Sequence, residues 1–457
     1  MSPRQPSLPI ADAVRAFEVR LQRRWASQDG APPAGLRGYR AAWVQQFADS
    51  GESCSNQEFL DACRHAQALL VSDFHPLARS TRMLARLLRE IAWPCPPRIV
   101  LELLPAELRL DASERSAWNT LRLVDGRLLS DTAPELLDAA AACGAELVGA
   151  WKPGTPAQRD EYAAQAWTER QVKKGPRPEV FFFGDWHLAD PHLPQSLARR
   201  GAQVISVHQS PAPLWGRVRP GEEEPILRLK GGHYAWMHTP PLAFLTSARQ
   251  GYEANQACEA NALLIEELAQ GMAEILDLPA PADPPVVLDA AAWPGFLRSL
   301  PESHRAVLAA DKPPRTAMVH PHESLIWTPA APSWNQLVDV AAGVFAQDCR
   351  LTEADNLASW VAFRRIWARA WNPFLPARDR GQILADLGWS TGLARLRSLD
   401  AAVGHLDALS EGESVAAALH RHSALDRAAM RTLMREGRHA FIWHLGVSTI
   451  RSSPLSA

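Results

Sequence analysis

Residues 99–104 read Ile-Val-Leu-Glu-Leu-Leu, and residues 180–187 read Val-Phe-Phe-Phe-Gly-Asp-Trp-His. Each begins as an almost continuous apolar run, and a strand apolar on both faces is one covered on both sides, as in a mostly parallel sheet. Further short apolar runs lie at Ala68 to Val71, Leu147 to Ala150, Val204 to Val207, Ile226 to Leu229 and Tyr234 to Met237. Between the runs at 68 and 99, Met83, Leu84, Leu87, Leu88 and Ile91 share one helical face while Arg82, Arg86 and Arg89 fall elsewhere. Strand, amphipathic helix, strand is a βαβ unit. The shorter connection between the last two runs permits an antiparallel edge pair.

Outside this texture the periodicity is helical. Ile10, Val14, Phe17 and Leu21, then Tyr39, Trp43 and Phe47, form two apolar stripes separated by the turn-rich segment from Ser27 to Gly38. A helix is read around Glu253 to Leu276, a connection through the Pro-rich Pro279 to Pro285, strand-like patches within Ala317 to Trp327, and helical spacing from Trp334 onward, as at Trp360, Phe363, Ile366 and Trp367. The expected fold is therefore α/β: a mostly parallel sheet flanked by helices, with a helical N-terminal cap (1–58), an α/β domain (59–280) and a mainly helical C-terminal region (281–457).

Composition sets outer bounds. The 457 residues are 47% hydrophobic and 21% charged with a net charge of -2, so no global positive field exists to hold nucleic acid or an anionic membrane. Nearly all basic positions are arginine, the lysines being Lys152, Lys173, Lys174, Lys230 and Lys312, which reads as a coding bias. The cysteines Cys54, Cys63, Cys95, Cys143, Cys258 and Cys349 show neither C-x-x-C nor framework spacing, as expected of a reducing compartment. Met1 to Ile10 has no apolar core or lipobox cysteine, and no stretch is apolar enough to span a bilayer; a cytoplasmic protein is expected.

One short pattern occurs twice. Ser72-Asp73-Phe74-His75 follows the first apolar run, and Gly184-Asp185-Trp186-His187 follows the run at 180. In an open α/β sheet ligands bind outside the carboxyl ends of the strands, so two imidazoles delivered there can converge. Alternation along an extended backbone sends Asp and His to the same side. Glu102 joins them, because a carboxylate inside a doubly covered strand must be paired, protonated or metal-bound. Two His and one Glu form a first shell for zinc-type cations, with a position left for water. Without metal, the same groups can act as a general base oriented by a carboxylate, with Asp73 and Asp185 fixing the imidazole tautomers. The competing structural account of Glu102 is a salt bridge to an arginine such as Arg159. His192, just before a helix start at Leu193-Pro194, is read either as part of the same crevice or as a capping residue.

Other signals are weaker. Gly388 to Gly392 matches G-x-S-x-G but follows helical periodicity, not a strand. His320-Pro321-His322-Glu323 is read as a solvated turn, and His420, His422, His439 and His444 scatter over helices. No G-x-x-x-x-G-K-[ST], G-x-G-x-x-G or H-E-x-x-H occurs.

Taken together, small-x-x-His75 after the first strand, Leu101-Glu102-Leu103 in the second, Arg159-Asp160 opening a helix and Gly184-x-x-His187 after a later strand resemble the Tiki/TraB/erythromycin-esterase/ChaN superfamily. Gly184 to Pro194 and Tyr234 to Pro241 look most like its ChaN-like branch of haem-binding uptake proteins. The resemblance covers about residues 60 to 245, with Ser72 where the superfamily usually has Gly. It implies haem binding with tyrosine ligation in the ChaN-like branch, for which Tyr234 is the candidate. It implies metal-dependent peptidase or His-based hydrolase chemistry in the others. His75, Glu102 and His187 carry over as the polar centre, with Arg159 and Asp160 in support. The expectation is a ChaN-like protein binding haem or a related cofactor, with the hydrolase as alternative. Its cofactor is haem or a divalent metal, its partner is a small haem-like ligand, and a homodimer is open. The 17 Trp against 4 Tyr fit this picture if Trp186 and Trp236 wall a pocket for a flat ligand and most others anchor helices.

Overall fold

The computed structural model describes residues 10–28, 34–48, 51–75, 77–111, 114–218, 224–252, 257–276, 285–300, 302–305, 317–320, 325–329, 332–347, 371 and 372. The strands are β1 (Glu52–Cys54), β2 (Ala68–Asp73), β3 (Arg98–Pro105), β4 (Arg109–Leu110), β5 (Glu146–Trp151), β6 (Glu179–Gly184), β7 (Val204–Gln209), β8 (Ile226–Arg228), β9 (His233–Trp236), β10 (Val286–Leu288), β11 (Met318–Val319) and β12 (Leu325–Trp327). The helices are α1 (Ile10–Gln28), α2 (Ala34–Gln46), α3 (Asn56–His65), α4 (Ala78–Glu90), α5 (Arg115–Trp118), α6 (Leu129–Thr132), α7 (Pro134–Ala142), α8 (Pro156–Lys174), α9 (Leu193–Ala198), α10 (Pro241–Tyr252), α11 (Ala257–Leu276), α12 (Trp293–Ser299), α13 (Glu302–Arg305) and α14 (Trp334–Gln347). They fall into two compact units, Ala26–Val218 with Glu223–Phe244, and Met1–Trp25 with Arg219–Glu222 and Leu245–Ala457.

The first unit holds a nine-stranded sheet of order β1-β8-β9-β7-β2-β6-β3-β5-β4. The six strands from β9 to β5 in that order are parallel. β8 runs antiparallel to β9 and β1 to β8 at one edge, and β4 runs antiparallel to β5 at the other. The mostly parallel sheet and the antiparallel pair between the last two apolar runs are thus as the sequence predicts. β1 and β4 carry no sequence signal, being too short to show a period of two.

Alternation explains the double cover. Leu69, Val71, Ile99, Leu101, Val180 and Phe182 pack with Phe59 of α3, Leu84 and Leu88 of α4 and Leu136 of α7. The intervening Ala68, Leu70, Val100, Phe181 and Phe183 pack with Ala164 and Trp167 of α8 and Leu193 and Leu197 of α9. Each fully buried Leu or Phe contributes roughly 1.5–3 kcal/mol from apolar burial, so both layers are needed to stabilise a sheet this apolar. The chain leaves β2 and enters β3 two places away, and β6 later inserts between them. The carboxyl ends of β2, β6 and β3 therefore adjoin at a switch in strand order, where open α/β sheets place ligands.

β3 departs from regular pairing at that point. Leu101 pairs with Gly149 and Pro105 with Trp151, so the register shifts between them. Gly149 permits it: a Cβ there would lie 1.8 Å from the Pro105 carbonyl oxygen and 2.8 Å from that of Leu104. A bulge re-aims side chains, and Glu102 lies in the bulged stretch. At the opposite strand ends Arg98, Glu146 and Glu179 start three neighbouring strands and are all buried. Arg98 donates from Nε to Glu146 and from Nη1 to Glu179, both at 3.1 Å, and Arg170 of α8 donates from Nη2 to Glu179 at 2.5 Å. Arginine richness read from composition as coding bias here supplies the partners of two buried carboxylates.

In the second unit, Val14, Phe17, Leu21 and Trp25 of α1 are buried, and a Cβ at Gly271 of α11 would meet the Phe17 ring at 2.4 Å. A three-stranded sheet, β10-β12-β11, backs Trp293 and Phe296 of α12. Trp371 packs edge-on against Phe17 and Trp334, as expected of a helix anchor. His320 is buried rather than in a solvated turn, its Nε2 3.1 Å from the Ser299 carbonyl. Most of the Pro279 to Pro285 connection, His322 and Glu323, Trp360 to Trp367, Gly388 to Gly392 and the four later histidines lie outside the described residues.

Three substitutions test these contacts. Gly149→Ala places a methyl on the Pro105 carbonyl and is expected to cost ~1–3 kcal/mol in urea unfolding. Glu179→Ala strips buried Arg170 of its carboxylate and leaves Arg98 with Glu146 alone, and is expected to cost ~3–5 kcal/mol, whereas Glu52→Ala, at an exposed pair with Arg228, changes stability by less than ~1 kcal/mol.

Candidate functional site

Glu102 projects from the β3 bulge toward the ends of β2 and β6 and is buried. Its Oε1 accepts from Arg159 Nη1 at 2.9 Å, and its Oε2 accepts from the Gly184 backbone N–H at 2.7 Å. The salt bridge to Arg159 anticipated from the sequence is therefore present, and it coexists with the imidazoles. His187 Nε2 lies 3.5 Å from Oε1 and His75 Nε2 lies 3.9 Å from Oε2. The structure thus brings His75, Glu102, His187 and Arg159 to one point from four elements or their ends.

Each imidazole is held from behind by a carboxylate. His75 Nδ1 is 2.6 Å from Asp73 Oδ2, the same-side placement that an extended Asp-x-His segment predicts. His187 Nδ1 is 2.5 Å from Asp160 Oδ1 on α8. Here the expectation for Asp185 is corrected: it does not bond His187. After Gly184 the chain turns into a 3-10 helix, Asp185–Leu188, so residues two apart no longer share a side. Asp185 Oδ1 instead lies 2.7 Å from His208 Nδ1, and its Oδ2 accepts from Trp43 Nε1 at 2.6 Å. His208 Nε2 continues to His233 Nδ1 at 3.1 Å, and His233 Nε2 to Asp190 at 2.7 Å.

Electrostatics separates the two histidines. Burial alone would push Glu102 up, but the hydrogen bond and charge of His187, the charge of His75 and the Gly184 N–H hold it down at about 2. Burial alone would depress His187, yet the bonds to Asp160 and Glu102 raise it to about 9. His187 thus has both ring nitrogens facing carboxylates, a setting that favours its protonated form. Among the described residues, no group of three His, Cys, Asp or Glu has an arrangement that could hold a metal ion. His75 is also raised, Asp73 and Glu102 outweighing its burial, and it keeps a partly exposed side chain.

His75 lines a small cleft with Asp73, Glu102, Thr81 and Arg127, walled by Leu77, Leu101, Leu123, Leu136 and Phe182; it encloses about 40 Å³ and opens to solvent. Asp73 Oδ1 is buried beside it and finds no hydrogen-bond partner among the described residues. Tyr234 is elsewhere: it is buried on β9 against the Phe59 ring at 5.5 Å, inside the layer under α3. Trp236 shares that layer, 5.7 Å from Phe59. Trp186 is half-buried, and neither tryptophan is among the residues lining the cleft.

His192 makes no side-chain cap at α9. It stacks flat on Tyr39 of α2, with centroids 3.6 Å apart and planes inclined by 2°. Sequence reasoning missed Tyr39, Trp43, His208 and His233 as members of this polar assembly. His208 carries the signal used for His75 and His187, a histidine closing an apolar run. Tyr39 and Trp43 were legible only as an apolar helix stripe.

No protein-family model matches the chain, and no curated protein matches it. Among solved structures it is similar to ChaN of Campylobacter jejuni, described with cofacially bound haem. The identity is 9% and the TM-score 0.27, over 39% of this chain and 94% of that one. A likeness at this level assigns neither fold nor ligand to this chain. No helix among the described residues is long and apolar enough to cross a membrane.

The ionic core makes stability depend on pH in a defined direction. His187 is raised in the folded state, so its contribution is complete below the ordinary imidazole range and lost as pH rises through about 9. Glu102 is depressed, so its contribution is complete above the ordinary carboxylate range and lost as pH falls toward about 2. Urea unfolding between pH 6 and 10 is expected to show a decline on the order of 3 kcal/mol, and His187→Gln is expected to remove most of it, leaving the smaller part that His75 contributes.

Proposed function

We propose that the cleft at the ends of β2 and β3 binds haem or a related planar iron cofactor, with His75 as the side chain that meets the iron. The observation that carries this reading is the setting of His75. Its Nδ1 is engaged by Asp73, which leaves Nε2 as the ligating nitrogen of a partly exposed imidazole lining an apolar-walled cleft. A carboxylate behind the far nitrogen fixes the tautomer and raises the basicity of an iron-ligating histidine.

The donor set fits such a group. One imidazole is available, since His187 is committed to Asp160 and Glu102. The cleft itself encloses only about 40 Å³, below the roughly 300–1,000 Å³ of small-molecule sites, so a macrocycle would rest at its open mouth with His75 beneath it. Leu77, Leu101, Leu123, Leu136 and Phe182 would exclude water from an apolar macrocycle, and Arg127 offers a cation beside them. The resemblance of Gly184 to Pro194 and Tyr234 to Pro241 to the ChaN-like branch is what suggests haem among flat ligands. Bound there, haem would supply iron chemistry that no side chain of the chain supplies. The residues' own parts are to bind, orient and shield it. Tyr234, the tyrosine that the resemblance offers as ligand, is buried under α3 and is replaced by His75 in this proposal.

A second reading rests on the same dyad. Asp73 and His75 have the relation of a carboxylate to a general base, and a water in the cleft would make the chain a hydrolase without metal. One pair of variants separates the readings. Haemin titration of the purified protein is expected to give a Soret shift that His75→Ala abolishes or weakens at least tenfold and Tyr234→Phe leaves intact. Affinity is expected to rise with pH as His75 gives up its Nε2 proton. No shift with the wild-type protein, together with His75-dependent cleavage in an ester and peptide screen, would replace the haem reading by the hydrolase.

A further inference from the structure

Helix α2 lies outside the α/β layers, yet one of its faces is built into the polar assembly. Tyr39, Trp43 and Phe47 recur at the spacing of a single helical face. Tyr39 Oη donates to Asp160 Oδ2 at 2.6 Å. The other oxygen of that carboxylate receives His187 Nδ1. The Tyr39 ring also meets the His187 ring edge-on at 5.6 Å while it stacks on His192. One turn on, Trp43 holds Asp185, and Phe47 meets the ring of His208 edge-on at 4.9 Å. Gln46 accepts from the Asp190 backbone N–H at 3.3 Å.

We propose that Tyr39 is a positioning residue of the Glu102 centre: by occupying Oδ2 of Asp160 it aims Oδ1 at His187, and so holds the imidazole with Nε2 on Glu102. A buried carboxylate with one oxygen unpaired can rotate to seek another donor or admit water. Asp160 is buried, so without the phenol its second oxygen would be left in that condition. The chain Tyr39–Asp160–His187–Glu102–Arg159 then has a fixed direction. Phenol and guanidinium donate at its two ends, and the imidazole donates to both carboxylates. The groups facing His187 are Asp160 and Arg159 of α8, Glu102 of β3, Tyr39 of α2 and His192 before α9, with His75 beyond Glu102. α2 is thereby a structural arm of the site and more than a cap over it.

The test reads His187 itself, on protein without haemin, so it stands or falls independently of the ligand proposed above. In the wild type, the Nδ1 proton of His187 is expected as a strongly deshielded resonance that exchanges slowly with water. Tyr39→Phe keeps the ring on His192 and removes only the hydroxyl. It is expected to speed that exchange at least tenfold and move the ring nitrogen signals of His187, with the near-ultraviolet circular dichroism unchanged. Unaltered His187 signals in Tyr39→Phe would overturn the proposal, leaving Tyr39 a packing residue. Should that variant fail to fold, uniform 3-fluorotyrosine labelling makes the phenol a stronger donor without deleting it. Tyr39 is the tyrosine on Asp160, so the His187 Nδ1 resonance is expected to shift upfield. An unshifted resonance would equally overturn the proposal.

Discussion

A single buried carboxylate organises the first unit. Glu102 sits where an apolar strand would otherwise continue, and its charge has to be met inside the fold. Arg159, the Gly184 N–H and the His187 imidazole meet it from α8, from the end of β6 and from the turn that follows. Each of those partners is then fixed in turn, His187 by Asp160 and Asp160 by Tyr39. Burial of one ionised group thus ties together β3, β6, α8 and α2. A carboxylate left unpaired there would cost more than any one of these bonds contributes in isolation.

The same constraint divides labour between two histidines that look alike in sequence. Small-Asp-aromatic-His occurs at the ends of β2 and β6, but Asp73 is the last residue of β2 and His75 lies in the turn after it, whereas Asp185 and His187 both lie in a 3-10 helix after β6. The first histidine keeps its own aspartate and faces a cleft. The second trades its neighbour Asp185 for Asp160 and becomes the cation of the ionic core. Asp185, released, anchors the line of imidazoles through His208 and His233 to Asp190. Similar local patterns thereby place one imidazole on a cleft and the other in the ionic core.

Much of the architecture was legible beforehand because it rests on short-range periodicity. The seven apolar runs mark seven strands of the large sheet, the doubly apolar runs mark those with helices on both faces, and the face of Met83 to Leu88 marks α4. The edge strands β1 and β4, and the bulge that Gly149 allows, were not legible. The first two are too short to show alternation, and the bulge depends on the approach of a carbonyl from a strand more than forty residues away. The polar centre was legible as a list of residue types at strand ends. Its wiring was not, since Asp160, Tyr39 and His208 reach it only through helix packing and strand order.

Taken alone, the sequence determined that this chain forms a mostly parallel sheet and that His75, Glu102 and His187 stand at its strand ends, because alternation and local turn chemistry are properties of neighbouring residues. The tertiary structure decided which carboxylate faces which imidazole, that Tyr234 is core and that Tyr39 belongs to the site. Those outcomes follow from long-range pairing: β6 inserted between β2 and β3, and α2 laid across their ends. Protonation follows pairing, so the different settings of His187, between two carboxylates, and His75, on a cleft, are a property of the fold and not of either motif.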